Sequence, residues 1–229
     1  MIQKEAFMLN PTNFQSQAYE SIKELILTAK LIPGQKISEK ELEQRLTIGR
    51  TPIREAIIRL RREALIHVVP QSGTYISKIS IKQIEEARFV RETLEKEVFV
   101  AACQAVTEEQ LKELEKLVIL QRTYAQLKDE IEFFQLDETF HQLIYKIADK
   151  ENVWNWLQTI NLPLNRFRFL RLEVEELSWE IILQDHEEIL ATLKEKDQAK
   201  IAPLVGQHID VIDNDLIFVE KAFPDYFTE

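Results

Sequence analysis

The sequence predicts a mainly α protein in two parts: an N-terminal winged helix-turn-helix unit of three helices and a small β-hairpin, then a C-terminal all-α antiparallel helical bundle. Three observations carry this. Four glycines and seven prolines in 229 residues, with 30% charged side chains, are too few chain breakers for a β-rich or disordered protein. Apolar residues recur at helical spacing along most of the length. Charge is unevenly split: residues 1–79 hold 12 Lys and Arg against 8 Asp and Glu, whereas 80–229 hold 17 against 31, within an overall net charge of -10. Such asymmetry joins a basic module suited to a polyanion to an acidic module with another job. The domains are therefore expected at 1–79 and 80–229.

The first helix is expected over residues 16–30, where Ala18, Ile22, Leu25, Ile26 and Ala29 share a stripe, and Pro33 and Gly34 end it. Ser38 stands three residues before Glu41, a capping box that opens the second helix, with Leu42 and Leu46 as its apolar edge. A short turn leads to the third helix, which starts at Arg50 with Pro52 in its first turn and buries Ile53, Ala56, Ile57, Leu60 and Ala64. Arg50 and Arg54 lie one turn apart beside that stripe, at the exposed N-terminal end. Residues 65–79, LIHVVPQSGTYISKI, then alternate β-branched and aromatic side chains around QSG, a two-stranded hairpin with Gly73 at its tip.

Three helices and such a wing suit double-stranded DNA. A helix fits the major groove, its N-terminal side chains reach base edges, and arginine bonds guanine bidentately while other cations hold phosphates. The stretch LIPGQKISEKELEQRLTIGRTPIREAIIRLRREALIHVVPQSGTYI resembles the DNA-binding domain of the GntR family of bacterial transcription regulators in its PPG-like turn, its SE-x-EL and RTP-x-REA motifs and its glycine-tipped wing. The resemblance spans about residues 16–79 and implies operator contacts by Lys40, Arg50, Thr51, Arg54 and Gly73. Gly49 replaces the serine that usually caps the third helix, and Ala64 stands where glycine commonly ends it. Glycine at the cap costs only a few tenths of a kcal/mol.

From Ile81 onward, helices are expected over 81–103, 107–126, 129–148, 151–161, 163–176, 178–195 and 197–220, with breaks at Thr107, Asp149, Pro163, Ser178 and Asp197. Cys103, the only cysteine, reads as core packing. Three of the four histidines, His141, His186 and His208, fall on apolar stripes of this half. Asp137 precedes His141 by one turn on the same face. Burying imidazoles without partners costs about 1–3 kcal/mol each, and a divalent ion satisfies all of them at once. The donor set suits Zn, Ni, Mn or Fe and leaves coordination positions free in a five- or six-coordinate ion.

This half resembles the FCD ligand-binding domain of the FadR-like branch of the GntR family. Its D-x-x-F-H motif and two later histidines 22 positions apart match Asp137, His141, His186 and His208 residue by residue. The resemblance implies an organic acid completing the metal's coordination, aided by an arginine of the first bundle helix, here Arg91, with Arg166 or Arg168 as further candidates for effector binding. A salt bridge to a neighbouring glutamate such as Glu95 is the alternative role for Arg91.

The expected protein is thus a metabolite-responsive regulator. A homodimer would bind a palindromic operator, and a small carboxylate effector at the metal would modulate that binding. In one alternative the metal itself is the signal. In another, less favoured because only Glu187 or Glu188 offers a base, the bundle is a metalloenzyme. No apolar run is long enough to span a membrane, and MIQKEAFMLN lacks the features of a signal peptide, so a cytoplasmic protein is expected.

Overall fold

The computed structural model describes residues 11–228; the N-terminal decapeptide, read above for a signal peptide, and Glu229 lie outside them. The chain forms two compact units that divide between Lys78 and Ile79.

In the first unit, α1 (Pro11–Leu27), α2 (Glu39–Leu46) and α3 (Arg50–Arg62) surround a core of Ala18, Ile22, Ile26, Leu42, Ile53 and Leu60. The start of α1 precedes the expected residue 16, with proline in the first helical position, where its missing N–H leaves no bond unmade. It ends early because Ala29 turns to a positive φ of 49°. The capping box forms as expected: Ser38 Oγ accepts from the Glu41 N–H, and the Glu41 carboxylate accepts from the Ser38 N–H. Gly49 caps α3 without a side-chain hydrogen bond.

The wing contains more than the expected hairpin. Strands β2 (Ile66–Val69) and β3 (Gly73–Ile76) pair antiparallel, and β1 (Lys36–Ile37), from the loop before α2, adds to the other edge of β3. Gly73 is not the tip but the first residue of β3, paired with Val69, and residues 70–72 make the turn. Its φ of 146° is one that side-chain-bearing residues rarely adopt.

The second unit opens with β4 (Ile79–Ser80) and continues through α4 (Ile81–Ala105), α5 (Glu108–Leu127), α6 (Glu130–Ile147), α7 (Glu151–Ile160), α8 (Leu162–Leu172), α9 (Glu180–Glu195) and α10 (Gln198–Ala222). The bundle is not wholly helical. After a 3-10 turn at 224–226, β5 (Phe227–Thr228) pairs in parallel with β4, so the far end of the chain returns to the unit's first residues. Ser80, Thr107, Asp129 and Asp197 each cap the helix that follows. Helix α8 stops at Leu172, short of the expected 176. There the Trp179 indole N–H donates to the Leu172 carbonyl at 3.0 Å, satisfying an acceptor that another helical turn would have used, and α9 starts after that tryptophan. No helix among the described residues is long and apolar enough to cross a membrane.

Candidate functional site

Two sites stand out, one in each unit. On the first, Lys40, Arg50, Thr51 and Arg54 are exposed on α2 and α3, and Gly73 is half-buried. The structure joins Arg50 and Arg54 through a residue that the sequence did not single out. Glu39, in the first turn of α2, meets Arg50 Nε at 3.2 Å with one carboxylate oxygen and Arg54 Nε at 3.5 Å with the other. Both guanidinium groups are thereby held at the entrance of α3. Arg59 is placed differently and stacks 3.4 Å over the Tyr19 ring, while Tyr19 donates its hydroxyl hydrogen to Glu63. Burial and that carboxylate push the Tyr19 hydroxyl well above its ordinary pKa. Gly73 packs beside Lys36, whose Cε would lie 2.6 Å from an added Cβ.

In the second unit, α6 supplies Asp137 and His141, α9 His186, and α10 His208. Donor atoms of the three histidines lie within 4.8 Å of one another, close to the spread of about 4 Å that ligands span on one ion at ~2.1 Å. Each ring meets a polar group through Nδ1. Gln121 Oε1 lies 2.8 Å from His186, and Asp185 Oδ2 lies 3.1 Å from His208. Glu95 Oε2 lies 2.9 Å from His141, too far off line for a directed hydrogen bond. Such partners place the proton on Nδ1 and turn the Nε2 lone pair inward. The Nε2 atoms of His141 and His186 are buried and have no hydrogen-bond partner among the described residues. Burial pushes both rings well below the usual histidine pKa, with the Arg91 charge adding to it for His141 and His208 for His186, so both are neutral, as metal ligands must be.

Asp137 stands at the edge of this triad, its Oδ1 3.7 Å from His186 Nε2 and its other oxygen on Arg168. Burial alone would raise the Asp137 carboxyl, but Arg168 and the surrounding cations hold it far below the ordinary carboxylate range. The donor set therefore fits a divalent ion, with the three imidazoles gathered and the carboxylate ionised beside them.

A cavity of about 50 Å³ adjoins the triad at His208 and Asp137. Its polar wall includes Arg91, Arg168 and Arg171, and its apolar wall includes Phe133, Leu172, Ile182 and Ile212. Arg91 combines both roles considered for it: it lines the cavity and donates to Glu95 at 2.8 Å. Burial opposes its charge, yet Glu95 holds its pKa above the usual arginine value. Arg168 bonds Asp137 and Glu138. Arg166 is buried but does not line the cavity, and burial pushes it down to about 10. Arg171, which the sequence did not mark, does line it. The two glutamates weighed as bases lie on the exposed face of α9, Glu187 bonded to Arg122 at 2.6 Å and Glu188 paired with Lys200 at 3.1 Å.

The family described as bacterial regulatory proteins, gntR family, matches residues 14–76, and the FCD domain matches 86–211. The HTH-type transcriptional repressor RspR of Escherichia coli (strain K12) is 32% identical over 96% of this chain and 97% of its own. The gluconate operon transcriptional repressor of Bacillus subtilis (strain 168) is 27% identical over 86% and 82%. Among solved structures, E. coli McbR/YncC superposes with a TM-score of 0.78 at 20% identity, covering 94% of this chain and all of that one, a likeness of fold. A winged unit with its arginines at the helix entrance, an FCD bundle over more than half the chain and a relative matching along nearly its whole length agree: the chain belongs to the GntR family, as a transcriptional regulator with an FCD domain and not an enzyme.

Proposed function

We propose that two copies of the chain form a homodimer that binds a palindromic operator through its winged units. A small organic acid, bound at a divalent metal in the bundle, modulates that binding. One recognition helix reads only a few base pairs, so a two-fold dimer matched to a palindromic site supplies the needed specificity. The observation that carries the metal reading is the pair of buried, unpartnered Nε2 atoms of His141 and His186 beside His208, each ring contacted on its far nitrogen. Asp137, His141, His186 and His208 would hold the ion, which supplies a doubly charged Lewis-acidic anchor for a carboxylate. Arg91 and Arg168 line the adjoining cavity and orient what enters it. The ligand shifts the regulator only as far as it binds one arrangement better than the other.

Metal content after purification and dialysis tests this reading, with His186→Ala/His208→Ala as the comparison. The unaltered chain is expected to retain about one ion per chain. The double variant, checked for dimer formation and folding, should lose the ion, keep operator binding and fail to respond to small acids. A folded double variant with full metal content would overturn the proposal. An ion that exchanges at micromolar concentrations and alone changes operator affinity would make the metal the signal.

A further inference from the structure

The cavity beside the triad has a second polar end, and its charge balance restricts what binds there. Arg171, only 3% exposed, lines the cavity from α8. Its Nε is bonded to Asp215 of α10, and its Nη2 donates to the Ser178 carbonyl at 3.2 Å. Its Nη1 is buried and has no hydrogen-bond partner among the described residues. His208 and Asp215 lie seven residues apart on α10, so the metal end and the Arg171 end are separated by about 10 Å along the helix axis. Between them Val211 and Ile212 form an apolar stretch of wall.

Every arginine of this wall already has a carboxylate partner: Arg91 has Glu95, Arg168 has Asp137 and Glu138, and Arg171 has Asp215. The metal is thus the one cation there whose charge is left for a ligand. A second ligand carboxylate at the Arg171 end would be a buried anion competing with Asp215, an unfavourable arrangement. An uncharged acceptor would instead satisfy Nη1 without disturbing the pair. The volume, about 50 Å³, corresponds to about four water-sized positions and admits only a short chain.

We infer that the ligand of this cavity is a short monocarboxylate carrying an uncharged hydrogen-bond acceptor, a hydroxyl or carbonyl oxygen, at the end away from the metal, where Arg171 donates to it. The inference rests on the metal-anchored reading above and names the class of acid.

Calorimetric titration of the full chain loaded with Zn²⁺ tests it, using butanoate, 4-hydroxybutanoate and butanedioate, with the corresponding five-carbon acids as a second length. The ω-hydroxy acid of at least one length should bind about tenfold more tightly than its plain counterpart, because only it fills the open donor. The dicarboxylate should bind no more tightly than the plain acid. Arg171→Lys keeps a cation on Asp215 and withdraws the spare donor. In this variant, with an unchanged melting profile, the hydroxyl advantage should shrink below threefold while butanoate affinity stays the same. Metal-dependent binding of all three classes with equal affinity, or with the dicarboxylate tightest, overturns the inference and leaves the metal-anchored reading standing. Failure of every acid to bind the zinc-loaded chain any better than His186→Ala overturns both.

Discussion

Arg50 and Arg54 share one carboxylate, and that arrangement sets what a substitution at either does. Arg54→Ala should weaken operator binding by ~1–3 kcal/mol and relax base preference, as read from the ratio of specific to non-specific affinity. Lys40→Ala should weaken all sequences alike and flatten the salt dependence. Glu39→Gln removes the acid that aligns both arginines, so non-specific affinity at low salt should rise while the specificity ratio falls; an unchanged ratio would make Glu39 a passive neighbour. The two arginines were legible in the sequence because they sit off the apolar stripe of α3. Glu39 was not, because its contacts cross the turn between two helices and span 11 and 15 positions. Ala64 shows the reverse case. The departure from glycine is visible in the sequence, and the structure gives Ala64 a φ of 58°, in the left-handed region where a Cβ is disfavoured. Ala64→Gly should stabilise the first unit by about 0.5–1 kcal/mol after allowing for glycine's greater unfolded-state freedom, measured by denaturant unfolding.

At the scale of elements, helical periodicity and caps located α4 to α10 closely, because each buries a long stripe. The two-residue strands escaped for a physical reason: two residues establish no alternation, and each strand exists only through a remote partner, Lys36 with Tyr75 or Ile79 with Phe227. The metal ligands divide in the same way. Asp137 and His141 are one turn apart on one helix and could be paired on paper. The roles of Gln121, Asp185 and Arg171 depend on how α5, α9, α8 and α10 register against one another, which spacing within a helix does not encode. The junction of α8 and α9 gives a test at this scale. Trp179 packs its ring against Phe133 at 4.9 Å and donates to Leu172, so Trp179→Phe keeps an aromatic ring and removes the donor. It should destabilise the second unit by about 1 kcal/mol, seen as a lower denaturant midpoint with unchanged slope.

Across the whole molecule, the separation of charge matches the separation of function. The acidic second unit repels DNA, so the salt dependence of binding should report only the cations of the first. Metal should act on the other side of the division. Free ion a thousandfold above its Kd adds about 4 kcal/mol to whatever unfolds with the site. Chelation should therefore lower the melting transition of the second unit and leave that of the first in place; calorimetry with and without chelator, using fragment 1–78 to assign the first transition, checks this. The pairing of β4 with β5 has a practical consequence. Ile79 and Phe227 are partners in adjacent strands, so the chain enters and leaves the bundle at points about 6 Å apart, from the spacing and rise of a strand pair. A unit whose two ends meet can be spliced into a surface loop of an unrelated host without prying that loop open. Residues 79–228 thus form a portable cassette: inserted into a fluorescent reporter, they would translate the arrival of a ligand into light.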